Sequence, residues 1–404
     1  MSDMQFESIY IPYGGYWSSP FCAWQGSFAN LAPIPLAAEL AHRALDERGI
    51  APSDIDGMSL GTTVPSKGSF YGAPWFAGLA GLGHVSGPTI NQACATSARC
   101  VVEGAQELAT GSASVYLAVA ADRTSNGPHV YYPNPGGAGG TGEHEDLVLD
   151  SFGHDPYAKN SMLQTAENVA RECAITRQAQ EEMTLLRYAQ YARALADDGA
   201  FHGRFMVRPV EVKRGKKVAA TIKDDEGVFP TTASGLAALR PVAEGGSVTF
   251  GTQTHPADGS AGMVLTGSRD RARALSRNEH VEVRLLSYGQ ARVKPGFMPM
   301  AIVPAAQMAL ARAGIGADQL ASTTTHNPFA VNDVLLSRSL HLDPEMMNRF
   351  GSSLVWGHPQ GPTGLRAIIE LVEDLVNQGG GYGLFTGCAA GDSAAAVVVK
   401  VTTH

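Results

Sequence analysis

The sequence predicts an α/β protein whose chain contains the same structural unit twice. Strand-like and helix-like segments alternate through the first third of the chain and again through the last third. A predicted helix ends at Gly49 and its counterpart ends at Gly314, and 314 − 49 = 265. A second pair of helices ends at Gly111 and Gly379, and 379 − 111 = 268. Because the two offsets nearly agree, we expect duplicated βαβαβ halves, each with a mostly parallel sheet covered by helices.

Each half is predicted to alternate strands with helices that end on glycine. In the first half we predict a strand at 6–12, a helix from Pro35 to Gly49, a strand at 57–61, a short strand before Cys94, a helix from Cys94 to Gly111 and a strand at Val115–Ala121. In the second half we predict a strand at 281–287, a helix at Ala301–Ala313, a strand, turn and helix around Ser353–Gly361, a helix at Leu365–Gln378 and a strand at Gly383–Thr386. Proline lacks the N–H that a helix leaves free in its first turn, and glycine accepts the left-handed conformation that ends a helix.

Residues 125–245 interrupt this pattern. They contain a Gly/Pro-rich tract at Pro133–Gly142, a charged helical region at Leu163–Asp198 and a basic turn at Glu211–Lys217. An insertion of this length between matched halves is more typical of a functional subdomain than of a bare loop. The predicted parts are an N-terminal half at 1–124 that residues 246–272 complete, an inserted loop domain at 125–245 and a C-terminal half at 273–404.

Composition argues against several classes of protein. The 404 residues are 44% hydrophobic and 17% charged, and a net charge of −8 gives no support for nucleic-acid binding. No apolar run is long enough to span a membrane, and the polar N-terminus is unlike a secretory signal. The five cysteines are odd in number and lack the paired spacing of a zinc finger, so we interpret them as reduced thiols of a cytoplasmic protein.

Cys94 is the first candidate catalytic residue. It lies where a short strand meets a helix, and we expect the free N–H groups and the dipole of that helix to lower the pKa of its thiol. On this stretch alone, a buried structural cysteine is an equally good interpretation. The offset carries Cys94 to about position 361, beside His358, so the two side chains should occupy nearly equivalent strand ends. His326 and Cys388 also follow predicted strands, and sites in parallel sheets form beyond the carboxyl ends of strands, so we predict one site that contains all four side chains.

Five motifs, in order along nearly the whole chain, resemble those of the thiolase family. They are a nucleophile motif at Asn91–Ser97 (NQACATS), a loop-domain motif at Thr165–Ala170 (TAENVA), a glycine-rich segment at Gly251–Gly262 (GTQTHPADGSAG), a Gly-His-Pro motif at Trp356–Gly364 (WGHPQGPTG) and a late cysteine motif at Gly387–Gly391 (GCAAG). Any one of them alone is a weak signal, whereas the ordered set is specific. The resemblance implies a thiolase fold, in which duplicated βαβαβαββ halves form a five-layered αβαβα core with an inserted loop domain.

The resemblance also implies an acyltransferase reaction and assigns roles to the candidate residues. Cys94 would attack the 3-keto carbon of a 3-oxoacyl-CoA and become acylated, with His358 accepting its proton. Cys388 would give a proton to the leaving α-carbanion in cleavage, or remove the α-proton in the reverse Claisen condensation. The backbone N–H groups of Cys94 and Ala390 would form an oxyanion hole, and His326 with His358 would serve the thioester enolate.

The ligands implied by the resemblance are acyl-CoA and CoA, both as substrates, with no covalently bound cofactor. The basic turn could meet the phosphates of CoA, although a solvated hairpin is the plainer interpretation. The expected CoA-binding residues are Thr254, Phe250, Ser161 and Arg214. Zinc could bind the two candidate cysteines and the two candidate histidines, but it would block the nucleophile, so we expect no metal. The expected partners are other copies of the chain, in a homodimer or a dimer of dimers, and neither nucleic acid nor a membrane.

Departures from the family pattern bear on the substrate. His326-Asn327-Pro328-Phe329 stands where many thiolases have Asn-Glu-Ala-Phe, and Ser161 stands where a histidine often approaches pantetheine. The histidine variant resembles thiolase subunits of anaerobic aromatic degradation, such as benzoylsuccinyl-CoA thiolase, which work with a small zinc-containing OB-fold partner. Aromatic residues are dense at Tyr10–Phe28 and at Phe70–Phe76. Core or a dimer interface is the plainer interpretation of the first segment, but both could line a pocket for a bulky acyl group.

Two alternative functions stay open from the sequence. A condensing synthase of the same fold, of the ketoacyl or hydroxymethylglutaryl-CoA type, lacks a cysteine at the position of Cys388. A non-catalytic acyl-CoA or lipid-binding protein with this fold would take no acyl group on Cys94. His358 could also be a satisfied buried histidine, and Cys388 an inert cysteine among small apolar neighbours, but these are the weaker interpretations.

Overall fold

The computed structural model describes residues 5–404, which form fifteen strands and twelve α-helices. The strands are β1 (Gln5–Tyr10), β2 (Tyr16–Ser18), β3 (Cys22–Ala23), β4 (Gly57–Gly61), β5 (Thr89–Ile90), β6 (Val115–Arg123), β7 (His129–Tyr132), β8 (Glu143–Asp146), β9 (Val210–Arg214), β10 (Lys217–Ile222), β11 (Ala257–Thr266), β12 (Val281–Arg292), β13 (Leu320–His326), β14 (Gly380–Ala389) and β15 (Ser393–Thr403). The helices are α1 (Pro33–Glu47), α2 (Gly72–Leu79), α3 (Thr96–Thr110), α4 (Leu149–Gly153), α5 (Met162–Glu172), α6 (Arg177–Gly199), α7 (Ala233–Ala238), α8 (Arg269–Ala274), α9 (Ile302–Ala313), α10 (Ala330–Leu340), α11 (Ser353–Trp356) and α12 (Thr363–Asn377).

Strands of both halves join in one eleven-stranded sheet. Its order is β13-β14-β15-β12-β1-β11-β6-β4-β5, and β2 and β3 also pair with β11. Strand β1 links the halves, because it pairs with β12 on one side and with β11 on the other. The sheet is mixed: β4 runs parallel to β5 and β6, β13 runs parallel to β14, and the other pairs are antiparallel. The expectation of mostly parallel halves is therefore wrong, because connections such as the turn at 390–392 between β14 and β15 are too short for a parallel crossover.

The helices form three layers around the strands. Helices α3 and α12 pack against each other and against strands of both halves, so they form the central layer. Helices α1 and α2 cover the outer face of the N-terminal strands, and α9, backed by α10, covers the outer face of the C-terminal strands. One cluster of buried apolar side chains surrounds the central helices on both sides, and two further clusters fill the two outer interfaces between helices and strands. The five-layered αβαβα order is thus confirmed.

The internal repeat is most regular at the two central helices. Helices α3 and α12 start and end at the same offset, since 363 − 96 = 267 and 377 − 110 = 267. Helix α3 stops where Gly111 adopts a left-handed φ of 74°, which a residue with a Cβ adopts less readily. The two helices therefore form equivalent halves of the central layer, and the segments that precede them meet at the same end of the molecule.

Two sequence predictions differ from the structure in ways that matter for the site. The segment at Ser353–Trp356 is a single helical turn rather than a strand. The aromatic segments do not line the candidate cavity described below: Tyr16, Trp17 and Phe21 are fully buried in the core, and Phe70 is 94% exposed. The hypothesis that these segments hold a bulky acyl group is therefore wrong.

The region between β6 and β11 builds its own small elements beside the large sheet. Strands β7 and β8 form one hairpin, β9 and β10 form another, and helices α4 to α7 lie between and after them. The domain boundaries at residues 124, 245 and 272 stay predictions. Within residues 5–404, no helix has the length and apolar character needed to cross a bilayer.

Candidate active site

A cavity of about 460 Å³ opens where the two halves and the inserted region meet. The N-terminal half contributes the loop before α3, and the C-terminal half contributes the Gly-His-Pro segment and the turn after β14. The inserted region contributes mainly apolar side chains, including Leu147, Val148, Phe152 and Leu163. The cavity therefore has a polar end, formed by the predicted catalytic motifs, and an apolar wall.

Cys94 lies at the polar end, in the loop between β5 and α3. The loop is braced by Thr96, whose hydroxyl accepts from the Gln92 N–H at 2.8 Å and donates to the Ala93 carbonyl at 2.7 Å. Ala93 has a left-handed φ of 45°, a strained conformation for a residue with a Cβ that is common beside reactive groups. These contacts hold the Cys94 sulfur at the cavity wall.

The pKa of the Cys94 thiol lies above its usual range. Burial raises it to about 11, whereas hydrogen bonds from the backbone N–H groups of Ala390 and of Cys94 lower it, and the charge of Asp122 raises it. The expectation of a lowered pKa is wrong for two reasons: Cys94 precedes the first turn of α3, and desolvation outweighs the N–H groups. The free protein therefore holds a neutral thiol at pH 7, which needs a base to become a nucleophile.

His358 and His326 form a stacked pair beside this thiol. Their ring centroids lie 4.0 Å apart, and the Cys94 sulfur and one nitrogen of each ring all lie within 4.8 Å of one another. Both Nε2 atoms are buried and have no hydrogen-bond partner among residues 5–404. Burial lowers the pKa of His326 to about 3 and that of His358 well below its usual range, and in His358 the neighbouring His326 adds to the effect. Both rings are therefore neutral at pH 7 and can accept a proton.

Hydroxyl groups fix the two imidazole rings at Nδ1. Ser353 Oγ accepts from the Asn327 N–H at 3.0 Å and donates to Asn327 Oδ1 at 3.1 Å, so its remaining lone pair accepts from His326 Nδ1 at 2.9 Å. This arrangement places the His326 hydrogen on Nδ1 and leaves the lone pair on Nε2. His358 Nδ1 lies 2.6 Å from the Thr363 hydroxyl. The backbone of His358 also forms a short β-bridge with Pro256, which brings the glycine-rich segment to the site.

The lowered pKa of His326 predicts a pH-dependent stability. Below about pH 6.5 the unfolded chain binds a proton that the buried ring does not, so folded-state stability falls as the pH falls. Between pH 7.5 and 5.5 this group alone should remove about 1.4 kcal/mol. We expect His326→Gln to reduce the wild-type change in unfolding free energy by that amount, measured by urea denaturation at both pH values.

The matched control for this prediction is His280→Gln. The His280 ring is exposed in the folded chain, so its replacement should keep the wild-type pH dependence. An unchanged pH dependence in His326→Gln would mean that the folded protein protonates the buried ring.

Cys388 lies next to the end of β14 and is fully buried. Burial raises the pKa of its thiol above its usual range, the charge of Cys94 adds to this, and a hydrogen bond from Asn332 opposes it. Asn332 Nδ2 donates to the Cys388 sulfur at 3.2 Å. At pH 7 Cys388 is therefore a neutral thiol, which suits a group that gives up a proton. Its neighbour Ala390 directs its backbone N–H at Cys94.

Gln360 is a site residue that the sequence prediction missed. Its Oε1 accepts from the Cys94 thiol at 3.3 Å, and its backbone has a left-handed φ of 63°. Gln360 is the repeat counterpart of Ala93, since 360 − 93 = 267, and the two residues share the left-handed conformation. The same offset pairs His358 with Asn91, so His358 lies three positions before the exact repeat counterpart of Cys94. The sequence could have identified Gln360 as a candidate, because this residue lies inside the Gly-His-Pro motif.

Asp122 is a second missed residue, and it ties the two halves together. Its carboxylate accepts from the hydroxyls of Thr62 and Thr63 and from the backbone N–H groups of Thr63, Val64 and Gly361, at 2.8–3.0 Å. Burial raises the pKa of this carboxyl to about 6, although the hydrogen bonds lower it. The position of Asp122 near the end of β6 could have identified it as a candidate site residue from the sequence. Asp122 thereby holds the Gly-His-Pro segment against the N-terminal half.

The four predicted CoA-binding residues separate into two groups. Ser161 and Thr254 line the cavity; Ser161 caps α5, and the Thr254 N–H donates to the Pro328 carbonyl at 2.8 Å. Phe250 is 73% exposed and Arg214 lies on the exposed β9–β10 hairpin, and neither is among the described residues that line the cavity.

Comparison with known proteins decides the family. The family model described as "Thiolase, N-terminal domain" matches residues 17–269, and the model "Thiolase, C-terminal domain" matches residues 279–401. The chain belongs to the thiolase family. Beta-ketothiolase BktB of Cupriavidus necator is 31% identical to this thiolase over 381 residues, which span 93% of this chain and 95% of the relative.

Two further similarities concern a human thiolase. The mitochondrial 3-ketoacyl-CoA thiolase of Homo sapiens is 29% identical over 394 residues, which span 95% of this chain and 96% of the relative. The crystal structure of human mitochondrial 3-ketoacyl-CoA thiolase in complex with CoA matches with a TM-score of 0.89 at 26% identity and covers 99% of both chains. The protein is therefore a CoA-dependent acyltransferase of the thiolase type, and coenzyme A is its substrate.

Proposed function

We propose that this thiolase cleaves a 3-oxoacyl-CoA with CoA, or runs the reverse Claisen condensation, through an acyl group carried on Cys94. The observation that supports this most strongly is the placement of one thiol and one nitrogen from each of two neutral imidazole rings within 4.8 Å of one another at the end of a cavity. A metal ion at these atoms would occupy the sulfur, so the proposal includes none.

The first half of the reaction forms the acyl-enzyme. His358 Nε2 takes the proton of the Cys94 thiol, and the sulfur attacks the 3-keto carbon. The bond between C2 and C3 then breaks, its electron pair stays on C2 as the thioester enolate, and Cys388 gives its proton to C2. The shortened CoA thioester leaves, Cys94 carries the acyl group, Cys388 is a thiolate and His358 is an imidazolium.

The second half regenerates the enzyme. CoA gives its thiol proton to the Cys388 thiolate, and the CoA thiolate attacks the acyl carbon on Cys94. The Cys94 thiolate leaves and takes back the proton held by His358. Each proton and each electron pair returns to its starting group, so the cycle needs no redox partner.

Backbone N–H groups and an imidazole would stabilise the negative charge that develops. The N–H groups of Cys94 and Ala390, which hydrogen-bond to the sulfur in the free protein, would face the tetrahedral oxyanion. The His358 imidazolium would donate a hydrogen bond to the enolate oxygen. His326, whose Nε2 carries a lone pair, would serve the enolate through a water molecule that donates to both. Removal of one hydrogen-bond donor from an oxyanion hole commonly lowers kcat by about 10²- to 10³-fold.

The cavity lining supports a bulky apolar acyl group. Phe152, Phe329, Met162 and Met298 contribute large apolar surfaces to the wall. This is consistent with an aromatic substrate of the benzoylsuccinyl-CoA kind. Ser161 and Thr254 would contact the pantetheine arm at the cavity, and Phe250 and Arg214 stay predictions from the resemblance for the outer part of CoA.

The assay that tests this function is CoA-dependent thiolysis of a panel of 3-oxoacyl-CoAs with short, long, branched and aromatic acyl groups. We expect two CoA thioesters from each accepted substrate, and a higher kcat/KM for an aromatic or branched substrate than for acetoacetyl-CoA. A preference for acetoacetyl-CoA would contradict the acyl-group part of the proposal. Absence of any thioester product would favour the non-catalytic acyl-CoA-binding alternative.

Assembly and location belong to the same proposal. We propose a homodimer or a dimer of dimers, supported by the exposed aromatic surface at Phe70 and Tyr71 beside the edge strand β5. The five free cysteines support a reducing, cytoplasmic location. The small zinc-containing OB-fold partner is tested by assaying thiolysis with the purified chain alone, since full activity without a second protein would remove the need for it.

A further inference from the structure

Asn332 is a fully buried amide near the start of α10 with one side-chain hydrogen bond. Its Nδ2 donates to the Cys388 sulfur at 3.2 Å, and its Oδ1 has no partner within residues 5–404. A buried carbonyl oxygen without a hydrogen bond destabilises the folded state, whereas a leucine of similar shape would leave no polar atom unsatisfied. Stability alone therefore does not explain an amide at this position.

The first turn of α10 is held rigidly by the next residue. The Asp333 carboxylate accepts hydrogen bonds from Arg187 Nε at 2.7 Å and from the Thr325 hydroxyl at 2.7 Å. It also accepts from Asn327 Nδ2 at 2.6 Å and from Asn348 Nδ2 at 3.1 Å. Because all of these side chains are buried, the Asn332 amide cannot move far from the sulfur.

An N–H donor at a sulfur has a predictable sign. Hydrogen bonds to an ionised partner are roughly twice as strong as those between neutral groups, so the amide stabilises the thiolate of Cys388 more than its thiol. This agrees with the lowering effect of Asn332 on the pKa of Cys388, which burial and the charge of Cys94 oppose. Among the described residues, no other side chain donates to this sulfur.

We propose that Asn332 supports the proton transfer at the substrate α-carbon by donating a hydrogen bond to the thiolate form of Cys388. The inference rests on the proposed acid and base role of Cys388. In cleavage the S–H bond breaks, the proton goes to C2, and the sulfur keeps the electron pair while the amide N–H stabilises it. In the second half the same thiolate takes the proton of CoA, and in the condensation direction it removes the α-proton.

The test compares two steps in Asn332→Leu. Exchange of the acetyl-CoA α-protons with D₂O and thiolysis of acetoacetyl-CoA should both fall about 10- to 100-fold, which is the range for a hydrogen bond to a charged group. Acylation of Cys94 by acetyl-CoA, followed by intact-mass spectrometry, should stay within about threefold of wild type, since the CoA thiolate released in that step is a stable anion that water can protonate in place of Cys388, whereas the α-carbanion is not. The melting temperature should not fall, because the unsatisfied carbonyl is removed together with its amide.

A second variant and a control separate the hydrogen bond from simple loss of packing. Asn332→Asp keeps the shape and replaces the donor, so it should lose exchange at least as strongly as the leucine variant. Ser287→Ala removes a fully buried hydroxyl that donates to the Ala309 carbonyl in the same half. It should lower the melting temperature and leave the ratio of exchange to acylation unchanged.

The outcomes distinguish this inference from the proposed function. Wild-type exchange in Asn332→Leu, or in Asn332→Asp if the leucine variant does not fold, would overturn the inference and leave the reaction intact. An equal loss of exchange and acylation would also overturn it, because Asn332 would then act only on the structure. Wild-type exchange in a Cys388→Ala variant would instead remove Cys388, and with it the proposed proton transfer.

Discussion

Replacing Cys94 with alanine should lower thiolysis by at least about 10⁴-fold, because the proposed reaction has no other group that can carry the acyl chain. The thiol is the group at the cavity end that two backbone N–H groups and a free imidazole nitrogen approach. Intact-mass spectrometry after incubation with acetyl-CoA should find one acyl adduct on the wild type and none on Cys94→Ala. Peptide mapping should place the wild-type adduct on Cys94.

Cys100 provides the matched control for this variant. It lies six residues further on, inside α3, and is fully buried in the core. Cys100→Ala leaves a small cavity and should lower the free energy of unfolding by about 1 kcal/mol, while the acyl adduct and thiolysis persist. An adduct that survives in Cys94→Ala would show that another nucleophile carries the acyl group.

Replacing Cys388 with alanine should separate the two chemical steps. Thiolysis and exchange of the acetyl-CoA α-protons should fall about 10²- to 10⁴-fold, because the proposed reaction assigns proton transfer at the α-carbon to Cys388 alone. The acyl adduct on Cys94 should still form from acetyl-CoA, since Cys94 and His358 carry out the attack and the CoA thiolate that leaves can take its proton from water in place of Cys388. Deuterium incorporation measured by NMR and intact-mass spectrometry follow the two steps independently.

This second experiment also distinguishes a thiolase from a condensing synthase of the same fold, which lacks this cysteine. Cys173→Ala is the control, because Cys173 is a half-buried cysteine at the end of α5, outside the cavity lining. It should keep both the adduct and the exchange. Undiminished exchange in Cys388→Ala would remove Cys388 from the mechanism and reopen the synthase alternative.

Local sequence patterns predicted the helices and strands of the fold. The helix before Gly111 and the helix at 365–378 follow from apolar spacing and from the glycines that end them, and both are observed within two residues of the prediction. The duplication could also be recognised from the sequence, because two copies of one unit keep their helix-ending glycines in the same order. The prediction of a strand at Ser353–Trp356 was wrong, because a short, mostly apolar run between turns fits a strand and a helical turn equally well.

The protonation states of the site residues could not be predicted from local sequence patterns. The position of Cys94 before a helix suggested a lowered pKa, but the sulfur is desolvated by atoms from segments far away in the chain. His358 and Cys388 were named from short motifs, and their neutral state at pH 7 follows only from burial among both halves. Asn332 had no motif, and only packing of α10 against β14 brings its amide to Cys388.

Residue types and their spacing along the chain were sufficient to predict the repeated α/β units and the family, and to name the four candidate site residues. Tertiary structure alone decided the mixed direction of the strands, the meeting of Cys94 with His358 from opposite halves of the chain, and the protonation of both. The physical reason is that sheet pairing, desolvation and hydrogen bonding between the halves depend on which distant atoms are brought into contact.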